Sequence, residues 1–185
     1  ATGYVRYATG YRPGGPNFIV LDAQTGAPVG PSTFDSDTLQ SYEIGYKAET
    51  AERRFGIDVA AYYIDWDDIQ VSATRGGVGF NVNAPGGASV RGAELELTLR
   101  PVDDLAVTGA FAYQDAKLSE ANADLGAAKD ERLPNVPRFT ASLNADYVFA
   151  ANELQPRIGA SFRHVGERYA SFDGSIGSPQ YRLAE

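Results

Sequence analysis

The chain has 185 residues, with 24 acidic and 16 basic side chains and a formal net charge of −8. This balance lacks the basic footprint of a nucleic-acid-binding protein, so we expect no nucleic-acid partner. The absence of cysteine excludes thiol catalysis and thiolate metal sites. No apolar run is long enough for a transmembrane helix, but a mean hydropathy of −0.28 is compatible with membrane-spanning β-strands, which show only alternating hydrophobicity.

Two-residue alternation of apolar and polar side chains predicts about eight strands. In chain order they cover residues 3–12, 39–49, 55–71, 90–100, 105–114, 138–149 and 154–163, and a last strand begins near residue 180 and is expected to continue beyond residue 185.

The stretch SYEIGYKAE (41–49) shows the alternation most clearly, because its aliphatic and aromatic side chains all fall on one face and its charged side chains on the other. The other strands repeat the pattern. The charged face is predicted to carry Arg6, Arg12, Glu43, Lys47, Asp58, Glu94, Glu96, Asp146, Arg157 and Arg163. Two structures explain such a sheet: a soluble sheet with one buried face, or a membrane wall with a wet interior.

The connections between the predicted strands alternate strictly in length. Short turns fall at residues 50–54, 101–104 and 150–152. Long polar or Gly/Pro-rich segments fall at residues 13–37, 72–89, 117–137 and 166–179. Four long connections at one end of a meander are uncommon in a compact soluble domain, whereas outer-membrane barrels have short periplasmic turns and long extracellular loops. The lengths therefore favour the membrane wall.

Five segments, in this order, carry a resemblance to a known family: YATGYRPGGPN (7–17), LQSYEIGYKAE (39–49), AAYYIDWDDIQV (60–71), NVNAPGGASVRGAELEL (81–97) and LPNVPRFTASLNADYVF (133–149). No single segment is specific, but the ordered set resembles the C-terminal half of the barrel of a TonB-dependent outer-membrane receptor. The resemblance covers essentially the whole chain.

The resemblance implies an all-β fold, an antiparallel up-and-down transmembrane β-barrel of the plugged kind with about 22 strands. Residues 1–185 are then expected to form a partial barrel domain, roughly a third of the wall, without the plug domain, the TonB box or the final strands. The implied location is the outer membrane of a Gram-negative bacterium.

The implied partners are outer-membrane lipid, the TonB complex acting through the absent N-terminal plug, and a small-molecule ligand such as an iron chelate, a sugar or a vitamin. The implied function is active uptake of that scarce ligand. We expect no cofactor and no enzymatic activity, because the chain offers no convincing catalytic constellation.

Ligand contact is expected in the long loops and on the upper part of the charged face. From position alone, the candidate ligand-binding residues are Arg12, Asn17, Trp66, Asn81, Asn83, Arg163 and His164. His164 is the single histidine and is also interpreted as a surface or girdle residue.

Two other features suggest chemistry but are better explained by loops. Asp65, Asp67 and Asp68 lack the spacing of a calcium loop and are predicted to form a solvated strand end rather than a metal site. TRGGVGF (74–80) and APGG (84–87) lack the Lys-Ser/Thr ending of a phosphate-binding loop, so they are predicted to be flexible extracellular loops.

Two alternative functions stay open at this point. A soluble antiparallel β binding module would share the alternation and would be soluble without detergent. A passive porin would share the wall pattern but would need no plug.

Overall fold

A computed structural model of the chain describes residues 1–123, 125–149, 155–172, 174 and 176–185. The strands are β1 (Thr2–Arg12), β2 (Gly15–Pro16), β3 (Thr33–Phe34), β4 (Asp37–Glu49), β5 (Phe55–Asp67), β6 (Gln70–Arg75), β7 (Val78–Asn83), β8 (Ala88–Val102), β9 (Leu105–Leu118), β10 (Phe139–Val148), β11 (Arg157–Val165), β12 (Arg168–Tyr169), β13 (Gly177–Ser178) and β14 (Tyr181–Ala184).

Eight of these strands form one antiparallel sheet in the order β1-β4-β5-β8-β9-β10-β11-β14. Each strand of the sheet pairs with the next strand of the same sheet along the chain, so the topology is an up-and-down meander. The sheet is open, with β1 and β14 at its edges. The predicted all-β antiparallel fold is therefore confirmed. Among the described residues, no helix is long and apolar enough to cross a membrane.

The connections confirm the predicted difference in length between the two ends of the sheet. One end has the turn of residues 50–54 and the two-residue turn Asp103–Asp104. The predicted turn at residues 150–152 lies outside the described residues. The other end, called the loop end below, has a first loop (13–36), a second loop (68–87), a third loop (119–138) and a fourth loop (166–180).

The predicted strand over residues 55–71 is in fact two strands. Strand β5 ends at Asp67, because Asp68 has a φ of 53° and so leaves the extended conformation. The chain then enters β6, which pairs only with β7. Sequence periodicity missed this break because an aspartate in the left-handed region has no signal of its own in a hydrophobic pattern.

The register places the apolar residues on one face, as predicted. Directly opposite residues of an antiparallel pair share a face. Ile44 lies opposite both Val5 and Ala61, and Leu95 lies opposite both Val59 and Phe111. We call this the outer face. Val5 is 81% exposed and Ile44 62% exposed, so within the described part of the chain no second layer of protein covers this face.

The opposite face, called the inner face, carries paired charges and hydroxyl groups. The Nζ of Lys47 lies 2.5 Å from Oδ2 of Asp58 on the neighbouring strand. The hydroxyl of Tyr4 donates to Oε1 of Glu43 at 2.7 Å. These contacts agree with the predicted polar interior.

The hydrophobic core lies at the loop end and not between sheets. Trp66, Ala88 and Leu118 follow one another across three strands on the inner face. They pack in one cluster with residues of the second, third and fourth loops: Ile69, Val71, Ala84, Leu125, Ala127, Leu133 and Phe172. The inner face is therefore wet along most of its length but covered by an apolar core at the loop end, which the sequence interpretation did not anticipate.

The outer face, which no second layer of described residues covers, has a direct consequence for the isolated chain in water. The 185-residue chain is expected to aggregate or to require detergent, because a contiguous apolar surface far above a few hundred Å² and two unpaired sheet edges would be in contact with water. Size-exclusion chromatography with and without detergent measures this. A monodisperse monomer without detergent would contradict the lipid-facing assignment of the outer face.

Candidate functional site

An ion pair between the half-exposed Arg12 and the buried Asp37 joins the two ends of the first loop. Asp37 is only 1% exposed, and its carboxylate accepts hydrogen bonds from Nε of Arg12 at 3.0 and 3.1 Å and from the backbone N–H of Gln70 at 2.9 Å. Arg12 in turn donates from Nη2 to the carbonyl oxygen of Gln70 at 3.1 Å. The pair thus holds the last residue of β1, the first residue of β4 and the first residue of β6 together.

Two further side chains complete this arrangement, which we call the Asp37 cluster (Arg12, Asp37, Trp66 and Gln70). The guanidinium carbon of Arg12 lies 4.9 Å from the centre of the Trp66 ring, a distance suited to a cation–π contact. The side-chain amide of Gln70 donates to the carbonyl oxygen of Pro13 at 3.0 Å and to that of Asp35 at 2.9 Å. The cluster therefore ties the first loop to the start of the second.

Asn17 links the first loop to the second by imitating a peptide group. Its side-chain amide donates to the carbonyl oxygen of Asn81 at 2.8 Å and accepts from the backbone N–H of the same residue at 2.9 Å. It also donates to the carbonyl oxygen of Pro31 at 3.0 Å.

Asn83 makes the same kind of link from the other side. Its amide oxygen accepts from the backbone N–H of Asp35 at 2.8 Å, and its amide nitrogen donates to the carbonyl oxygens of Asp35 at 3.0 Å and Asp68 at 2.8 Å. The amides of Asn17 and Asn83 thus hold the loops in place.

The second loop is a β-hairpin, which differs from the expected flexible segment. Strands β6 and β7 pair through the two-residue turn Gly76–Gly77, whose φ angles of 58° and 79° suit a turn of type I′. Asn81 lies on β7, and its Oδ1 accepts from the hydroxyl of Ser72 across the hairpin at 3.1 Å. The Gly-Gly pair was itself a hairpin signal that the sequence interpretation left unused.

Arg163 lies on the inner face in a polar groove of about 460 Å³. It is opposite Ser142 in the register, and Glu94, Glu96 and Thr140 line the same groove. Two carboxylates and one guanidinium in an open, wet groove can orient a polar or charged small molecule.

His164 belongs to the outer face by register, although it also borders that groove. It is opposite Ala141 on β10 and Arg182 on β14, and its ring centre is 5.8 Å from that of Phe139. Arg163 and His164 thus belong to opposite faces by register, although both border the groove. The girdle interpretation of His164 stays a prediction.

The aspartates at the end of β5 are not arranged as a metal-binding site. Asp67 and Asp68 are exposed, as expected for a solvated strand end. Within the described residues, no group of three or more histidine, aspartate or glutamate side chains is arranged to hold a metal ion.

Comparison with known proteins agrees with this geometry. The family described as "TonB dependent receptor-like, beta-barrel" matches residues 2–184. The chain belongs to the TonB-dependent receptor β-barrel family.

Among curated proteins, the Metal-pseudopaline receptor CntO of Pseudomonas aeruginosa is 30% identical over 162 residues, which cover 86% of this chain and 22% of the relative. The Catecholate siderophore receptor Fiu of Escherichia coli is 24% identical over 179 residues, which cover 96% of this chain and 22% of that receptor. The chain thus spans about a fifth of the length of these relatives.

Among solved structures, the ferric yersiniabactin uptake receptor FyuA from Yersinia pestis has the same fold, with a TM-score of 0.76 at 23% identity. The alignment covers 98% of this chain and 26% of the FyuA chain. In this TonB-dependent receptor family member, the open eight-stranded sheet is accordingly a fragment of a barrel wall.

Two members of the Asp37 cluster, Asp37 and Gln70, were not among the candidate residues chosen from the sequence. A signal for Asp37 was present, because pairing β1 with β4 across the first loop makes Arg12 and Asp37 the last opposed pair of the ladder. Opposite charges at such a position attract each other. Gln70 had no comparable signal, since its role depends on the break after β5.

Arg12→Ala is expected to destabilise the first and second loops by about 3 kcal/mol, because it leaves the buried Asp37 carboxylate without its cation. Hydrogen exchange of the Gln70 amide measures the local effect. Arg6→Ala is the matched control: Arg6 is 66% exposed and 4.0 Å from Glu43, so its loss should cost under about 1 kcal/mol. Equal protection in the two variants would contradict the proposed importance of the buried pair.

Asn17→Asp is expected to loosen the contact between the first and second loops, because a carboxylate can accept from the Asn81 N–H but cannot donate to its carbonyl oxygen. The cost should be about 1–3 kcal/mol. Asn81→Asp introduces the same charge but keeps the acceptor for Ser72, so it should be tolerated. Faster proteolytic cleavage of the first loop in the Asn17 variant alone is the expected result, and equal cleavage of both variants would refute it.

Proposed function

We propose that this chain forms part of the barrel wall of an outer-membrane receptor in a Gram-negative bacterium. The whole receptor is proposed to import a chelated metal ion by TonB-dependent transport. Residues 1–185 are a partial barrel domain, and the TonB complex acts through a plug that lies outside this chain. The observation that carries the proposal is the combination of an exposed apolar outer face, a polar inner face and long loops at one end only.

The dimensions of the outer face support the membrane location. From Phe55 to Tyr63, β5 presents uncharged side chains over eight residue steps, which correspond to about 26 Å along the strand. At the strand tilt of about 40° in outer-membrane barrels, this length corresponds to a height of about 20 Å, which is most of an apolar band of about 25 Å. Aromatic side chains lie near both limits, with Tyr63 beside Tyr42 at one end and Tyr147 against Phe149 at the other.

The ligand class is proposed from the relatives. CntO is named for metal-pseudopaline and Fiu for catecholate siderophores, both of which are metal chelates. The groove around Arg163 supports this proposal, because a guanidinium can bind the anionic groups of a chelate. Arg12, about half exposed, is the second proposed contact.

The remaining candidates divide by position. Asn17, Asn81, Asn83 and Trp66 are proposed to act by holding the loops in the shape that the ligand meets. His164 borders the groove from a strand position that belongs to the outer face, and its ligand contact stays a prediction from sequence position.

Uptake of radiolabelled iron tests the proposal in cells where the full-length protein is the sole receptor of its kind. A panel of catecholate and carboxylate chelates is supplied, and each uptake rate is compared between cells with and without TonB. We expect uptake of at least one chelate that requires TonB and protein that fractionates with the outer membrane. TonB-independent uptake would indicate a passive porin, and a soluble protein would indicate a binding module.

Within that assay, Arg163→Gln is expected to reduce uptake about tenfold by removing the charged donor from the groove. Arg53→Gln is the control, because Arg53 is in the short turn after β4 and is 78% exposed. Unchanged uptake in the Arg163 variant would remove this residue from the ligand site.

A further inference from the structure

The contacts of Arg12 leave one nitrogen of its guanidinium group for a ligand. Nε and Nη2 both donate to the carboxylate of Asp37, and Nη2 also donates to the carbonyl oxygen of Gln70. Within the described part of the chain, Nη1 of Arg12 has no hydrogen-bond acceptor. The Arg12 side chain is 48% exposed, whereas that of Asp37 is 1% exposed. Arg12 can therefore offer Nη1 to a ligand while the buried carboxylate holds the other side of the group.

Arg12 is fixed at the loop end of the inner face. It lies opposite Asp37 in the last pair of the β1–β4 ladder, an even number of residues after Tyr4 and therefore on the same face as that tyrosine. The ring of Trp66 packs against the guanidinium group and also belongs to the apolar core of the loop end. An aromatic ring and a carboxylate thus hold this arginine at the place where the inner face meets the loops.

Carboxylates outnumber cations around this arginine. The Asp37 cluster joins three segments, residues 10–14, 33–38 and 66–71, and Arg12 is the single basic residue in them. The same segments contain Asp35, Asp37, Asp67 and Asp68. All of these aspartates except Asp37 are exposed. The surroundings of Arg12 therefore do not favour an anion, although the residue itself is a cation.

The charge of Asp37 changes what Arg12 can bind. An anion on Nη1 would be attracted by the guanidinium group at about 4 Å and repelled by the Asp37 carboxylate at about 7 Å, so the repulsion would offset roughly half of the attraction. An uncharged oxygen acceptor is affected much less, because its hydrogen bond to an N–H group needs no net charge on either partner. The ion pair therefore weakens the advantage that an anion would otherwise have.

We propose that Asp37 is a positioning residue that sets the charge preference of the contact at Arg12. In the ion pair, Arg12 is a hydrogen-bond donor to an uncharged oxygen of the chelate, such as the carbonyl oxygen of an amide. The contact for anionic groups is then the one proposed at Arg163. This inference rests on the proposed function, because it assigns a chemical class to one of the proposed ligand contacts.

Asp37→Asn tests the inference, because the amide removes the charge but keeps an oxygen acceptor of the same size for the Gln70 N–H. The full-length receptor, purified in detergent, is titrated with two ferric chelates of similar size, an uncharged trihydroxamate and an anionic triscatecholate. We expect the ratio of the two affinities to shift by about five- to tenfold toward the anionic chelate, because the repulsion is removed. A purely structural role would weaken both chelates equally, and an unchanged ratio would overturn the inference.

The double variant Arg12→Gln with Asp37→Asn keeps the test decisive if the single variant folds poorly. It replaces the ion pair with two amides, leaves the net charge of the receptor unchanged and retains an uncharged N–H donor at position 12. The ratio of the two affinities should stay close to that of the unmodified receptor. A shift toward the anionic chelate in the double variant, or loss of the uncharged chelate, would contradict the proposed role of the pair.

Asp58→Asn is the matched control for the change in net charge. It removes a carboxylate that pairs with Lys47 on the same inner face but away from the loop end. We expect the ratio of the two affinities to stay unchanged in this variant. A shift as large as that in Asp37→Asn would mean that overall charge and not the contact at Arg12 decides the preference, and the inference would be wrong.

Uptake by the unmodified receptor separates this inference from the proposed function. TonB-dependent uptake of a metal chelate, together with an unchanged affinity ratio in the Asp37 variant, disproves only the role of Asp37. A receptor that neither binds nor imports any metal chelate disproves the proposed function.

Discussion

The hydrogen-bonded register of the antiparallel sheet is the constraint on which the rest of this structure depends. Side chains alternate with a period of two, so a slip of one residue between neighbouring strands would exchange the two faces. Lys47 and Asp58 would then face the apolar surroundings and Ile44 the wet side. A wall in lipid has no water to satisfy exposed backbone groups, so pairing and register must both be complete.

The loop end is packed differently from the wall. The wall has few buried side chains, whereas the loop end has an apolar core and a buried, ion-paired carboxylate, as a small soluble domain could have. Trp66 belongs to both, since it stands on a wall strand and packs under the loops. The loops are therefore anchored on the inner face, and the shape presented at the mouth depends on contacts such as Asp37 with Arg12.

Two residues that are adjacent in sequence belong to opposite faces of the sheet in this fold. Arg163 belongs to the inner face by register and His164 to the outer face, where its ring packs beside Phe139, although both border one groove. One side of the wall is thus polar and the other apolar.

The sequence by itself determined the strands, the two faces and the difference between short turns and long loops, because a period of two and turn composition are local properties. It also sufficed to place Arg163 on the inner face. Only the tertiary structure decided that Asn17 and Asn83 hold loops together, that Asp37 is buried and that β5 stops at Asp67. These features depend on which loops meet in space, and contacts between loops distant in sequence leave no periodic signal in the chain.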